Sequence, residues 1–146
     1  MKTPAEELES AYRQTIYWCE LPEQSVAIRI GHKHPVLDDA LRNEAVNEWA
    51  FITAYNPHST LKTPPQNRSM NERIECEIAR LGYSYWHGTG IDPKGQWPPE
   101  ASFLVLGIAP SSAADIGRKY HQNAIVTGRV GSAAELVFLT SESESR

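Results

Sequence analysis

Glu100 follows Trp97-Pro98-Pro99 and precedes a long apolar run from Ala101 to Ile108. An indole and two prolines on one side and a strand on the other would strip water from the carboxyl. That raises its pKa and suits it to general acid–base work. The sequence pairs no second carboxylate with it, since Asp92 sits in a turn-forming stretch. Upstream, FITAYNPHS breaks from an apolar strand into Asn56, Pro57, His58 and Ser59. An asparagine amide both accepts and donates, so Asn56 can orient a ligand or close its own turn. Asn67, Gln122 and Asn123 bring further amides, and Thr53, Ser59 and Ser102 bring hydroxyls. Such a set suits recognition of a small polar molecule. Arg68 is the cation that Glu100 would pair with if its role were structural. The reading assigns Glu100 the acid–base role and Thr53, Asn56, Ser59, Asn67, Arg68, Ser102, Gln122 and Asn123 the ligand contacts.

Other chemistries are less well supported. His58, His87 and His121 come from three elements that could meet with Glu100 around a metal, but their spacing is no metal motif, and neither a metal nor a cofactor is expected. Cys19 and Cys76 have neither CxxC nor Cys/His spacing. Neither GxSxG nor a phosphate-cradling glycine loop is present, because Gly88-Thr89-Gly90 lacks a further glycine and a following helix.

The elements that must carry these residues can be read from periodicity. Thr3-Pro4-Ala5-Glu6 starts a helix whose inward stripe is Leu8, Ala11, Tyr12, Thr15 and Ile16. Residues 25–31 alternate as a half-buried strand, and a short helix is expected over 36–44. Residues 50–55 form a buried strand ended by Asn-Pro. A second long helix runs from about Asn67 to Gly82, with Ser69-x-x-Glu72 as its capping box. Strands at 83–87 and 101–108 follow, then a helix capped by Ser112, and strands at 124–130 and 135–139 around Gly131-Ser132.

From residue 50 to residue 130 the order is therefore strand, helix, strand, strand, helix, strand. This predicts an α+β chain with a ferredoxin-like βαββαβ core, one mainly antiparallel sheet with strands in the order fourth, first, third, second. The N-terminal helix would cover the open face, and the outer strands would extend the sheet. Chain direction then gathers Asn56, His58, Ser59, Asn67, Arg68, His87, Glu100, Ser102, His121, Gln122 and Asn123 on one rim. Helix starts near residue 67 would add donors for an anionic group.

The chain has 146 residues and a net charge of −4, which fits one α+β domain over residues 1–140 and a disordered tail over 141–146. Its Lys and Arg are scattered, which speaks against nucleic acid as a partner. No apolar run approaches the ~20 residues of a membrane span. A cytoplasmic location follows from the unpaired cysteines and charged N-terminus. The alternative to a small-molecule site is a protein-interaction module anchored by Tyr83, Tyr85, Trp86 and Trp97.

Several of these segments are similar to a bacterial family catalogued only as a domain of unknown function. They are FITAYNPHS, Asn67 with Leu81-Gly82, Gly88-Thr89-Gly90, Trp97 with Glu100, SFLVLGI and Gln122-Asn123-Ala124. The resemblance spans about residues 10–140. It implies bacterial origin and a small stand-alone protein, and carries over Thr53, Asn56, Pro57, Ser59, Asn67, Trp97, Glu100, Ser102 and Gln122 as matching positions. It brings no activity, and His58 and His121 lie outside its pattern.

Overall fold

Threonine followed by proline starts two of the four α-helices among the described residues. In the computed structural model, which describes residues 1–139, α1 (Pro4–Gln14) opens on a reciprocal bond pair between Thr3 and Glu6. Helix α3 (Pro64–Arg80) opens in the same way on Thr63 and Gln66. The long helix thus begins before Asn67, and the Ser69-x-x-Glu72 pattern lies inside it. Thr63 prevails because Pro64 sits at the first helical position, where a missing N–H costs nothing. Helix α2 (Pro35–Asn43) buries Leu37, Asp38 and Leu41. Helix α4 (Pro110–Lys119) starts after Ala109, two residues before Ser112, and has no side-chain cap.

Seven strands form one antiparallel sheet: β1 (Ile16–Glu20), β2 (Ser25–Ile28), β3 (Glu48–Ile52), β4 (Tyr85–Ile91), β5 (Glu100–Leu106), β6 (Ala124–Arg129) and β7 (Glu135–Phe138). Their spatial order is β2-β1-β4-β5-β3-β6-β7, and every paired neighbour is antiparallel. Strand β1 was unforeseen. Thr15 and Ile16 continue the helical spacing of α1, but Thr15 is extended and the chain enters the sheet at Ile16. The expected tail over 141–146 lies outside the described residues.

Alternation of side chains splits the core in two. Ala50, Ile52, Phe103, Val105 and Ile125 face α3 and α4, where they meet Ile74, Ile78, Ala113 and Ile116. Trp49, Phe51, Leu104, Leu106 and Val126 face the other way, onto Tyr17, Cys19, Ile28 and the α2 residues Leu37 and Leu41. Each such aliphatic side chain contributes roughly 1.5–3 kcal/mol when fully buried. The second face is closed by the curled sheet and α2, not by the N-terminal helix. After β2 the chain meets the residues before β7 in a parallel bridge between Ile30 and Ala134. The Gly31 N–H donates to the Ala134 carbonyl at 2.8 Å, and the Ala134 N–H donates to that of His32 at 3.0 Å.

Large rings fill the inside of this curl. A Cβ on Gly128 would stand 2.4 Å from the Trp49 indole, and one on Gly88 would stand 2.6 Å from the Phe51 ring. Both glycines are there because the rings occupy the space.

Candidate functional site

The register determines which strand ends share a rim. Ile52 pairs with Phe103, so the chain leaving β3 passes the start of β5. Gly90 pairs with Glu100, Ile16 with Ile91 and Ala124 with Phe138. One rim therefore carries the entry to β1, the end of β4, Glu100, the segment after β3, Asn123 and the end of β7. Because α1 feeds straight into β1, it lies along this rim. It buries no residue.

Beyond β3 the backbone is pinned before it turns. The Thr53 hydroxyl donates to the Ala101 carbonyl at 2.7 Å and accepts from the Tyr55 N–H at 3.1 Å. Asn71 of α3 accepts from the Ala54 N–H at 2.9 Å and donates to the Ala101 carbonyl at 3.1 Å. Asn56 then enters the left-handed region, at φ 46°. Its backbone N–H donates to Asn67 Oδ1 at 2.9 Å. Its own Oδ1 accepts from Asn67 Nδ2 and from the Lys62 N–H, each at 2.9 Å. With every other polar atom of this buried amide committed, Nδ2 donates to Glu100 Oε2 at 2.8 Å. The same oxygen accepts from the Trp97 indole at 2.7 Å.

Glu100 is half-buried, and burial pushes its carboxyl up from the ordinary range. The Trp97 and Asn56 hydrogen bonds oppose that shift. Arg68 is exposed on α3 and takes no part. The ion pairs recorded among the described residues join Arg13 to Glu9, Arg42 to Asp39, Arg118 to Asp115 and Lys119 to Glu77, none of them at Glu100. Its Oε1 has no hydrogen bond from the described residues.

Glu100 lies in a cleft of about 740 Å³ between α1 and the β4–β5 hairpin, with Ser59, Tyr12 and Trp97 among its walls. Burial raises the pKa of the Tyr12 phenol, the neighbouring Ser59 side chain opposes that shift, the Glu100 charge adds to it and Asn123 opposes it. Its ring meets Phe138 edge-on at 6.0 Å. Periodicity placed Tyr12 on a core-facing stripe and so passed over it. Recognising β1 would have found it, since that fixes the end of α1 on the rim. Asn71 was also passed over, a mid-helix polar residue without local signature. At the hairpin, Asp92 accepts from the backbone N–H groups of Lys94, Gln96 and Trp97, and these bonds, led by that of Lys94, lower its pKa.

The remaining expected residues divide. Asn123 donates to the Ser59 hydroxyl at 2.9 Å, and this bridge stands between the cleft and a second cavity of about 640 Å³. His58, His121, Gln122 and Asn123 line that cavity. Gln122 donates to the Tyr55 carbonyl at 3.1 Å. Ser102 is buried and donates to the Glu100 carbonyl at 2.9 Å, so it shapes the strand and not the cleft. His87 leaves the rim group altogether. Strand β4 runs to Ile91, not to His87, which puts the imidazole in mid-strand opposite Phe103. His58 and His121 alone meet, with ring centres 5.4 Å apart. Among the described residues no cluster of three His, Cys, Asp or Glu is placed to hold a metal.

The four aromatic residues named as interaction anchors are half-buried. Tyr83 and Tyr85 pack on the α3 and α4 side of the sheet and Trp86 packs inside the curl. No helix of the described residues is long and apolar enough to cross a membrane.

A family model described as Protein of unknown function (DUF3293) matches residues 52–125. The chain belongs to this family. No curated protein and no solved structure matches it. The family match runs from the end of β3 to the start of β6, a shorter stretch than the expected span of about 10–140. It takes in Asn56, Asn67, Trp97, Glu100, Gln122 and Asn123, whereas α1 and Tyr12 lie before it.

Proposed function

We propose that the protein binds a small polar molecule in the cleft between α1 and the β4–β5 hairpin, with Glu100 as its principal contact and acid–base group. The observation that carries this reading is the state of that carboxyl. Its Oε2 is anchored by two donors, leaving Oε1 for a ligand. Pre-positioned polar groups in a concave, partly apolar site are what small-molecule recognition requires. A carboxyl whose pKa is raised by burial exchanges protons nearer to neutral pH than an ordinary one. Asn56 and Asn67 serve by holding it, and Tyr12 and Ser59 line the cleft beside it. A cytoplasmic setting is part of this proposal and is supported by the two free cysteines, one buried and one exposed. So is the ferredoxin-like reading of β3-α3-β4-β5-α4-β6, supported by the adjacency of β4, β5, β3 and β6.

The test is ligand-induced thermal stabilisation, since a molecule that binds the native state alone raises stability by mass action. A panel of nucleotides, sugars, amino acids, amines and divalent metals is screened against wild type and Glu100→Gln. At least one compound should raise the wild-type Tm, and that shift should shrink in the variant. A panel that moves nothing, or a shift untouched by the substitution, removes the proposal.

A further inference from the structure

A half-buried carboxylate is ordinarily matched by a cation, or else it is neutral. Glu100 has neither an Arg nor a Lys bonded to it, as the ion pairs above show. Its two protein donors are an amide and an indole, both neutral. The charged groups facing it come from two sides. Lys2 and Glu7 approach with α1, as does the Tyr12 phenol, and Asp92 and Lys94 stand on the hairpin. Three carboxylates, Glu7, Asp92 and Glu100, therefore face two ammonium groups, and Lys94 sits beside Asp92. From the corner after β3 and from α3 the neighbours are Asn56 and Asn67, both uncharged. The β5 neighbour, Ser102, is also uncharged.

The helix starts offer an anion little. The first turn of α3 is closed by Thr63 and Gln66, and that of α1 by Thr3 and Glu6. The expectation that a helix start near residue 67 supplies free donors is thereby corrected. The aromatic rings of Tyr12 and Trp97 line the same cleft, and aromatic rings attract organic cations through their π faces.

We infer that the molecule taken by this cleft carries an organic cation, an ammonium or guanidinium group, which pairs with Glu100 Oε1 between Tyr12 and Trp97. This inference rests on the cleft being the binding site and adds the charge of its ligand. Pairing with a cation favours the ionised carboxylate. Affinity therefore climbs as pH rises through the Glu100 titration, and holds level until the ligand amine loses its proton.

Matched probes isolate the charge. Putrescine is compared with 1,4-butanediol, glucosamine with glucose, and succinate serves as the anion, all by titration calorimetry on the full chain at several pH values. The amine of each pair should bind at least about tenfold more tightly than its hydroxyl partner, the gap expected of a charge-assisted over a neutral contact. Glu100→Gln should abolish that preference. Tyr12→Phe, which keeps the ring, should retain it, and Tyr12→Ala should weaken it. Far-UV circular dichroism verifies that each variant is folded. Equal or tighter binding of the diols, glucose or succinate overturns the cation while leaving the cleft as a site. Silence from every probe, with no shift in the wider thermal panel, overturns both.

Discussion

Asn56 Nδ2 reaches Glu100 Oε2 at 2.8 Å although the two residues are 44 positions apart in the chain. The contact joins the corner after β3 to the first residue of β5, and it exists because those strands run antiparallel with Ile52 opposite Phe103. It also lets a residue in a left-handed backbone conformation present its amide at a fixed angle. Such conformations persist where the surroundings over-determine them. Among the described residues, four of the five non-glycine residues with positive φ, Asn56, His58, Ser59 and His121, cluster at this corner. The His58 N–H donates to the His121 carbonyl at 2.7 Å and locks the two loops together.

Replacing Glu100 by Gln should stabilise the free protein at neutral pH while impairing ligand binding. Gln keeps an oxygen for Asn56 and Trp97 but carries no charge to desolvate. The sign follows from linkage. The native carboxyl has the higher pKa, so the stability it retains at low pH is lost as pH rises from the unfolded-state value through the native one. Denaturant melts of wild type and Glu100→Gln across that interval should diverge, with the variant flatter and more stable at the upper end.

The Asn56–Asn67 pair should matter more to stability than either residue's exposure would suggest. Asn67→Ala leaves the Asn56 N–H and one of its carbonyl bonds unmade in a buried place, which costs about 2–3 kcal/mol. Asn56→Ala adds backbone strain of roughly 1–2 kcal/mol at a left-handed position, whereas Asn56→Gly avoids it. Urea unfolding should therefore rank Asn56→Gly above Asn56→Ala.

Much of this arrangement was legible in the residues. The alternation from 50 to 130 predicted the strand adjacency and so a shared rim for Asn56 and Glu100, though not their contact. What escaped has physical reasons. Thr15 and Ile16 satisfy helical spacing as well as strand alternation, and only the pairing with β2 and β4 decides between them. The closure of the sheet is made by backbone groups at Gly31, His32 and Ala134, which leave no side-chain signature. His87 was misplaced because β4 continues through Gly88-Thr89-Gly90, where glycines suggest a turn and the Phe51 ring instead requires Gly88.

Filling the space beside Trp49 should be costly. Gly128→Ala puts a methyl group 2.4 Å from the indole, and overpacking of this kind costs typically 1–3 kcal/mol. Thermal melts should show the loss, and Gly131→Ala, with nothing near its Cβ but a φ of 84°, should show a smaller one.

Removing the Tyr12 hydroxyl should loosen α1 without unfolding the sheet. That hydroxyl stands beside the Ser59–Asn123 bridge, on a helix with no fully buried residue. Tyr12→Phe should speed hydrogen exchange of the α1 amides by a few-fold to about tenfold, while β3 and β5 amides keep their protection.

The most direct measurement is a carbon-detected NMR titration of the Glu100 side chain in free protein and with putrescine. A native pKa above the ordinary glutamate range, lowered when putrescine binds, is expected. A Glu100 that titrates at or below the ordinary range would contradict the account.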